Sequence, residues 1–276
     1  MAHNPQADRV YWQAHRGGGA YERPDNTMVA NLYAWSLGGI PEADIRTTRD
    51  GVIVCLHDET PARTTTAPDE KKDLPISELD YSDTLAWDSG VKFDPRFAGE
   101  RIPSLVEVFE QLRVDRERSV YLDLKQVDLD QLGALIDEYG VNGQVIFTHN
   151  QQANCKAMKR IANGVRSMLW IGGSADAIRE KFLAAARTGF DGLDQVQLHL
   201  NSKSPTPDWM YDLDAAFLRE ALQAAADAGV DFEVLPFQFD DRSLRQLLDL
   251  GIRWYATDEP MRFSRIVQTW AEPSAV

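Results

Sequence analysis

An α/β fold, specifically a (β/α)8 or TIM barrel of parallel strands joined by crossover helices, is what this sequence predicts. Three observations carry that expectation. Short β-type runs alternate with amphipathic helical stretches along most of the 276 residues, the pattern of a parallel sheet built from strand–helix–strand units. Gly140, Gly164, Gly189, Gly229 and Gly251 stand where the helical stretches should end, as glycine does after a helix C-cap. Counting gives eight strand–helix units, the number that closes a barrel, in a chain of ordinary barrel length.

In order, a first strand is expected at 10–14, a helix near 27–37 and a second strand at 39–45. A further β run at 52–57 exceeds the barrel count. It follows 45–48 through Arg49-Asp50-Gly51, and Asp-Gly between β runs signals a hairpin. The run is therefore read as a returning arm above the rim beside strand two. With Asp50-Gly51 as a two-residue turn, Arg49 pairs with Val52 and the register sets Asp44 opposite His57. Residues 58–103 break the alternation. This stretch is rich in Thr, Asp and Pro, carries Tyr81, Trp87, Phe93 and Phe97, and is expected to form an inserted cap over one barrel face. Strand–helix pairs then follow at 119–125 with 128–139, 145–149 with 152–162, and 167–171 with 176–188. The last are 191–198 with 213–228, 232–237 with 242–250, and a final strand at 254–257. The chain thus reads as one domain, 1–276, with the cap segment 58–103 inserted and a frayed end at 272–276.

Composition narrows the function. The formal net charge of −14 comes with no basic stripe, which argues against general nucleic-acid binding and against stable docking on an anionic membrane. It leaves room for a phosphate substrate, because a bound metal and two local cations reverse the sign inside a cleft. Cys55 and Cys155 lie in or beside apolar segments and are expected to be reduced. The start, MAHNPQADRV, lacks the pattern of a signal peptide and no stretch reaches the length of a membrane span, so a cytoplasmic enzyme is expected.

In a barrel of this kind the active site forms at the C-terminal strand ends. His15-Arg16-Gly17 ends strand one, Glu42-Ala43-Asp44 lies late in strand two, and Asp123-Leu124-Lys125 ends the next barrel strand. Residues two apart share a strand face, so Glu42 points with Asp44 and Asp123 with Lys125. Each piece alone has a plain reading: a structural histidine, a solvated edge charge, an ion pair. Asp25-Asn26-Thr27 reads equally as a helix N-cap. Their convergence at one barrel end points to chemistry. Three carboxylates without a thiolate, Glu42, Asp44 and Asp123, suit one hard divalent cation, Ca2+ or Mg2+, with Mn2+ also acceptable. Arg16 and Lys125 offer donors and positive charge to phosphate oxygens, making them the candidate substrate-binding residues. His15 and His57 suit general acid–base catalysis near neutral pH.

The segments AHRGGGAYERPDNT, EADIRTTRDGVIVCLHDETPARTT, DLPISEL, GERIPSLVEVF, YLDLK and GIRWYATDEP span nearly the whole chain. In that order they resemble the glycerophosphodiester phosphodiesterase family, within the phospholipase C-like TIM-barrel phosphodiesterases. The resemblance implies a barrel with a small inserted cap and His15 and His57 as the acid–base pair. It also implies metal ligation by Glu42, Asp44 and Asp123, and hydrolysis of a phosphodiester, typically to glycerol 3-phosphate and an alcohol. Asp25 and Asp123 stand where the family usually has Glu. Pro236-Phe237-Gln238 replaces a common Trp-Thr element, and Thr148-His149 and Gln197-x-His199 are also unusual there. These last positions are implied to line the leaving-group side.

The expected partner is a small-molecule phosphodiester, first a glycerophosphodiester. Two alternatives stand beside it: a sugar phosphodiester or lysophospholipid cleaved by the same mechanism, and a barrel that binds phosphorylated ligands without turnover.

Overall fold

The computed structural model describes residues 9–271, apart from Ala20 and Pro207. The chain begins with β1 (Tyr11–Ala14), α1 (Met28–Ser36), β2 (Ile40–Thr47) and β3 (Ile53–Cys55). An irregular segment holding the short α2 (Tyr81–Thr84) leads to α3 (Leu105–Val114), β4 (Val120–Gln126), α4 (Leu129–Tyr139), β5 (Val145–His149) and α5 (Gln152–Ile161). Then follow β6 (Arg166–Ile171), α6 (Ala175–Arg187), β7 (Gln195–Leu200), β8 (Ser202–Thr206) and β9 (Trp209–Tyr211). The chain ends with α7 (Ala215–Asp227), β10 (Asp231–Pro236), α8 (Asp241–Asp249), β11 (Trp254–Thr257) and α9 (Pro260–Ala271).

Eight parallel strands, β1, β2, β4, β5, β6, β7, β10 and β11, form a ring that closes where β1 pairs with both β2 and β11. This is the predicted TIM barrel. The helices lie between the strands because each has one apolar face to bury. In α3 that face is Leu105, Val108, Phe109 and Leu112, at helical spacing, and Ser104 with Glu107 closes a capping box at its start. Thr27 caps α1 by accepting from the Ala30 amide. Both cysteines are free and buried. No helix among the described residues is long and apolar enough to cross a membrane. The frayed end expected at 272–276 lies outside the described residues.

The hairpin β2–β3 exists, but its expected register is wrong by one residue. Ile45, Arg46 and Thr47 face Cys55, Val54 and Ile53. Asp44 therefore meets Leu56, whose amide donates to the Asp44 carbonyl at 2.8 Å. The turn holds three residues, Arg49-Asp50-Gly51, because Thr48 and Val52 close it: the Thr48 amide donates to the Val52 carbonyl at 2.9 Å. Thr48 Oγ1 also accepts from the Val52 amide and donates to Asp50. Gly51 takes the left-handed conformation, φ +85°, that ends such a loop. His57 lies beyond the end of β3 and is aimed by its backbone, whose carbonyl accepts two bonds from the Arg46 guanidinium at 2.9 and 3.1 Å.

The segment after His57 is short turns rather than long elements. Ile76, Leu79, Trp87 and Ile102 form a small core of their own with Val54 and Leu56 of the hairpin. The two-stranded sheet β8–β9, which follows β7, has no counterpart in the sequence-based expectation. Inside the barrel, a polar belt replaces hydrocarbon. The buried Glu233 carboxylate accepts bonds from the side-chain amides of Gln13, Gln195 and Gln197 and from the Tyr121 hydroxyl.

Candidate active site

A cavity of about 250 Å3 opens at the C-terminal end of the barrel. His15, Arg16, Glu42, His57, Asp123 and Lys125 line it, and Asp44 lies buried beside them. All seven site residues expected from the sequence meet here.

Glu42 and Asp44 sit two residues apart on β2, and Asp44 is the register partner of Asp123 on β4. Their side chains therefore converge, and each offers an oxygen within 4.8 Å of the others. Lys125 Nζ reaches Asp44 at 3.1 Å and Asp123 at 2.5 Å. Asn26 clamps Asp44 on both sides, donating to its carboxylate at 2.7 Å and accepting from its amide at 2.9 Å. Trp170 Nε1 donates to the other Asp123 oxygen at 3.1 Å.

One ammonium does not balance three carboxylates, and the titration behaviour reflects it. Burial first, then the Asp44 charge, lifts Glu42 to about 8. Burial also raises Asp123, against the pull of Lys125. Burial opposes ionisation of Asp44 too, but Lys125, His57 and the Asn26 bond together hold it below the usual range. Glu42 Oε2 accepts from the Arg16 amide at 2.6 Å, whereas Glu42 Oε1 is buried with no hydrogen-bond partner. An orphaned buried oxygen in an all-oxygen cluster fits a divalent cation of the Ca2+ or Mg2+ kind. Glu42, Asp44 and Asp123 are the residues that would hold it.

The histidines differ in surroundings. His15 Nδ1 contacts Asp258 at 2.8 Å. Burial opposes its protonation, yet the Asp258 bond and the charges of Glu42 and Asp44 raise it to about 9. Gly19 makes that approach feasible: a Cβ there would lie 2.4 Å from the Asp258 carbonyl. His57 Nδ1 contacts Asp58 at 2.8 Å, while its Nε2 faces Arg16 Nη2 at 3.3 Å. A guanidinium has no acceptor, so this contact requires a lone pair on His57 Nε2 and leaves the proton on Nδ1. Arg16 itself takes a left-handed backbone, φ +56°, which aims its amide at Glu42.

The far wall is aromatic. Trp170 and His199 stack with centroids 5.3 Å apart, and Phe237 meets His199 edge-on at 5.1 Å. Burial, then repulsion from His15 and Lys125, lowers His199 to about 4, so it is neutral. Thr148 and Gln197 complete this side of the cavity.

Sequence reasoning missed the residues that orient the others: Asp258, Asp58, Arg63, Asn26 and Trp170. The sequence places Asn26 in a helix cap; in the structure Thr27 is the cap, and Asn26 serves Asp44. Asp258 carried a usable signal, since it follows the last barrel strand directly.

The model of the glycerophosphoryl diester phosphodiesterase family matches residues 15–262. A glycerophosphodiester phosphodiesterase of Caldanaerobacter subterraneus subsp. tengcongensis is 36% identical over 157 residues, 54% of this chain and 61% of that protein. Glycerophosphodiester phosphodiesterase 1 of Mus musculus is 37% identical over 120 residues, covering 43% and 34%. The matched stretches thus span less than two thirds of these relatives' length. The fold matches a crystal structure of glycerophosphodiester phosphodiesterase from Agrobacterium tumefaciens, with a TM-score of 0.71, 24% identity and coverage of 93% and 99%. It likewise matches an Oleispira antarctica phosphodiesterase solved with the product sn-glycerol-3-phosphate, at a TM-score of 0.71, 17% identity and coverage of 95% and 98%. The chain belongs to the glycerophosphoryl diester phosphodiesterase family.

Proposed function

We propose that the protein hydrolyses a glycerophosphodiester to glycerol 3-phosphate and an alcohol, with His57 as general base and His15 as general acid. The observation that carries this reading is the opposite poise of the two histidines across one cleft. His57 presents an Nε2 lone pair beside Arg16, and His15 is held protonated by Asp258. His57 takes the proton from the attacking hydroxyl, of water or of the substrate itself. The bond from phosphorus to the leaving oxygen breaks, and His15 gives that oxygen its proton. Arg16 and Lys125 hold the phosphoryl oxygens and spread their charge. A divalent cation, when bound by Glu42, Asp44 and Asp123, supplies Lewis-acid stabilisation of the phosphoryl oxygens. The family membership and the sn-glycerol-3-phosphate bound by the Oleispira relative support the substrate class.

The aromatic wall of Trp170, His199 and Phe237 favours a second reading of the substrate alone. Such a wall suits the carbon face of a sugar, so a sugar phosphodiester would use the same chemistry. The test is a panel of glycerophosphodiesters and sugar phosphodiesters with Ca2+, Mg2+ or Mn2+, followed by release of glycerol 3-phosphate or of the alcohol. Turnover that persists in EDTA, or in His15→Ala and His57→Ala, would sink the mechanism. Turnover of sugar diesters alone would keep it and replace the substrate.

A further inference from the structure

Arg63 belongs to the segment that follows His57, not to the barrel, yet it closes a ring of charged side chains at the edge of the cleft. Arg63 Nη1 donates to Asp25 Oδ2 at 2.9 Å, and the same oxygen accepts from Arg16 Nη1 at 3.0 Å. Arg16 Nη2 faces His57 Nε2 at 3.3 Å, and His57 Nδ1 meets Asp58 Oδ1 at 2.8 Å. Arg63 then grips Asp58 with both Nε, at 2.5 Å, and Nη2, at 3.1 Å. The circuit Arg63–Asp25–Arg16–His57–Asp58–Arg63 has no gap.

Two features set this apart from an exposed ion pair, which contributes little by itself. The Asp25 carboxylate is only 8% exposed, although Arg63 is 47% exposed, so the guanidinium reaches from the surface to a buried acceptor. The forked grip on Asp58 also fixes orientation as well as distance. The loop presenting Arg63 is itself pinned. Lys92 Nζ donates to the Ala62 carbonyl at 2.7 Å, and the Thr65 amide donates to the Pro61 carbonyl at 3.1 Å. Each half of the ring ends on a group facing the cavity: the Arg16 guanidinium in one direction, the His57 imidazole in the other.

We propose that Arg63 is a positioning residue: by bridging Asp25 to Asp58 it locks the Arg16 guanidinium and the His57 imidazole in one mutual arrangement. Removing it leaves Asp25 with its bond from Arg16 and Asp58 with its contact to His57, but takes away the bridge that fixes the two carboxylates relative to each other. The partner that keeps the His57 proton on Nδ1 is then loosened, and so is the edge that Arg16 turns toward the phosphate. The inference rests on the roles of His57 and Arg16 given above, so its test includes a readout independent of turnover.

That readout is the tautomer of His57, measured by 15N NMR of the imidazole in wild type, Arg63→Ala and Arg63→Lys. The wild-type ring is expected in the Nδ1–H form at a pH where it is neutral, and the Arg63→Ala ring as a mixture of tautomers. Kinetically, Arg63→Ala should lose about tenfold or more in kcat, the range seen when an orienting partner is removed, with a smaller change in KM. Added guanidinium ion should restore part of the loss, since it refills the bridge. Arg63→Lys keeps the charge without the fork; it should fold even if the alanine variant does not, and should recover less than guanidinium does. A folded variant with wild-type kcat and an unchanged His57 tautomer overturns the proposal. Wild-type protein that turns over no diester overturns the proposed function instead, and the NMR comparison still decides the role of Arg63.

Discussion

His15 and His57 are one residue type in two environments: each sets Nδ1 against an aspartate, and the charges around the rest of the ring differ. Asp258 accepts from His15 and stabilises its charged form; Arg16 donates toward His57 Nε2, which therefore keeps its lone pair in the neutral ring. Replacing Asp258 by Asn removes the charge and keeps the shape. Its loss lowers the pKa of His15, so a catalytic acid is lost at lower pH than before. Asp258→Asn is therefore expected to shift the basic limb of the kcat/KM profile downward and to reduce kcat above neutrality by about tenfold or more. An unshifted basic limb would remove His15 from the acid role. The metal-ligand and phosphate-binding candidates were legible in the sequence because strand alternation aligns Glu42 with Asp44 and Asp123 with Lys125. The supporting residues were not. Asp258 lies 243 residues from His15 and Arg63 lies 38 from Asp25, and no local pattern links such pairs. Only the closed barrel brings β11 beside β1 and so delivers Asp258 to His15.

At the level of elements, the hairpin is where reading and structure part. The Asp-Gly pair announced a turn correctly, but the number of residues in it is set by Thr48, whose hydroxyl competes for the backbone at Val52. One extra turn residue moves every partner by one, which is why Leu56 rather than His57 faces Asp44. Gly51 tests this account cleanly. A Cβ there would meet nothing within 4 Å, so Gly51→Ala introduces no clash and charges only the left-handed backbone, φ +85°. The expected loss is about 1 kcal/mol, a few degrees in melting temperature for a chain of this size. If the hairpin aims His57, kcat should fall as well; a variant that is destabilised with kcat intact would show that the Arg46 bonds aim His57 on their own.

For the whole molecule, the alternation of strands and helices was readable because every barrel strand is followed by a helix whose apolar face must be buried. That periodicity survives in composition alone. The polar belt inside the ring was not readable, because Gln13, Gln195, Gln197 and Glu233 come from three strands, β1, β7 and β10, whose pairing order is set by the fold and not by any local pattern. Glu233 gives this belt a measurable consequence. Burial raises its pKa from 4.5 to about 7, although the bonds from Gln197, Gln13 and Tyr121 pull the other way. Between those two values the folded protein keeps a proton that the unfolded chain has released. Folding stability therefore falls as pH rises through that window, then levels off once Glu233 is ionised in both states. The cost reaches the order of 3 kcal/mol above pH 7. The net charge of −14 adds a slope of the same sign through general repulsion. The quantity to measure is thus the difference between wild type and Glu233→Gln, from urea unfolding at several pH values between 5 and 8. Wild type should lose stability relative to the glutamine variant up to about pH 7, and the gap should stop changing above that. Parallel curves would mean that the four donors around Glu233 already keep it ionised, and that the belt is held by a carboxylate rather than by a carboxylic acid.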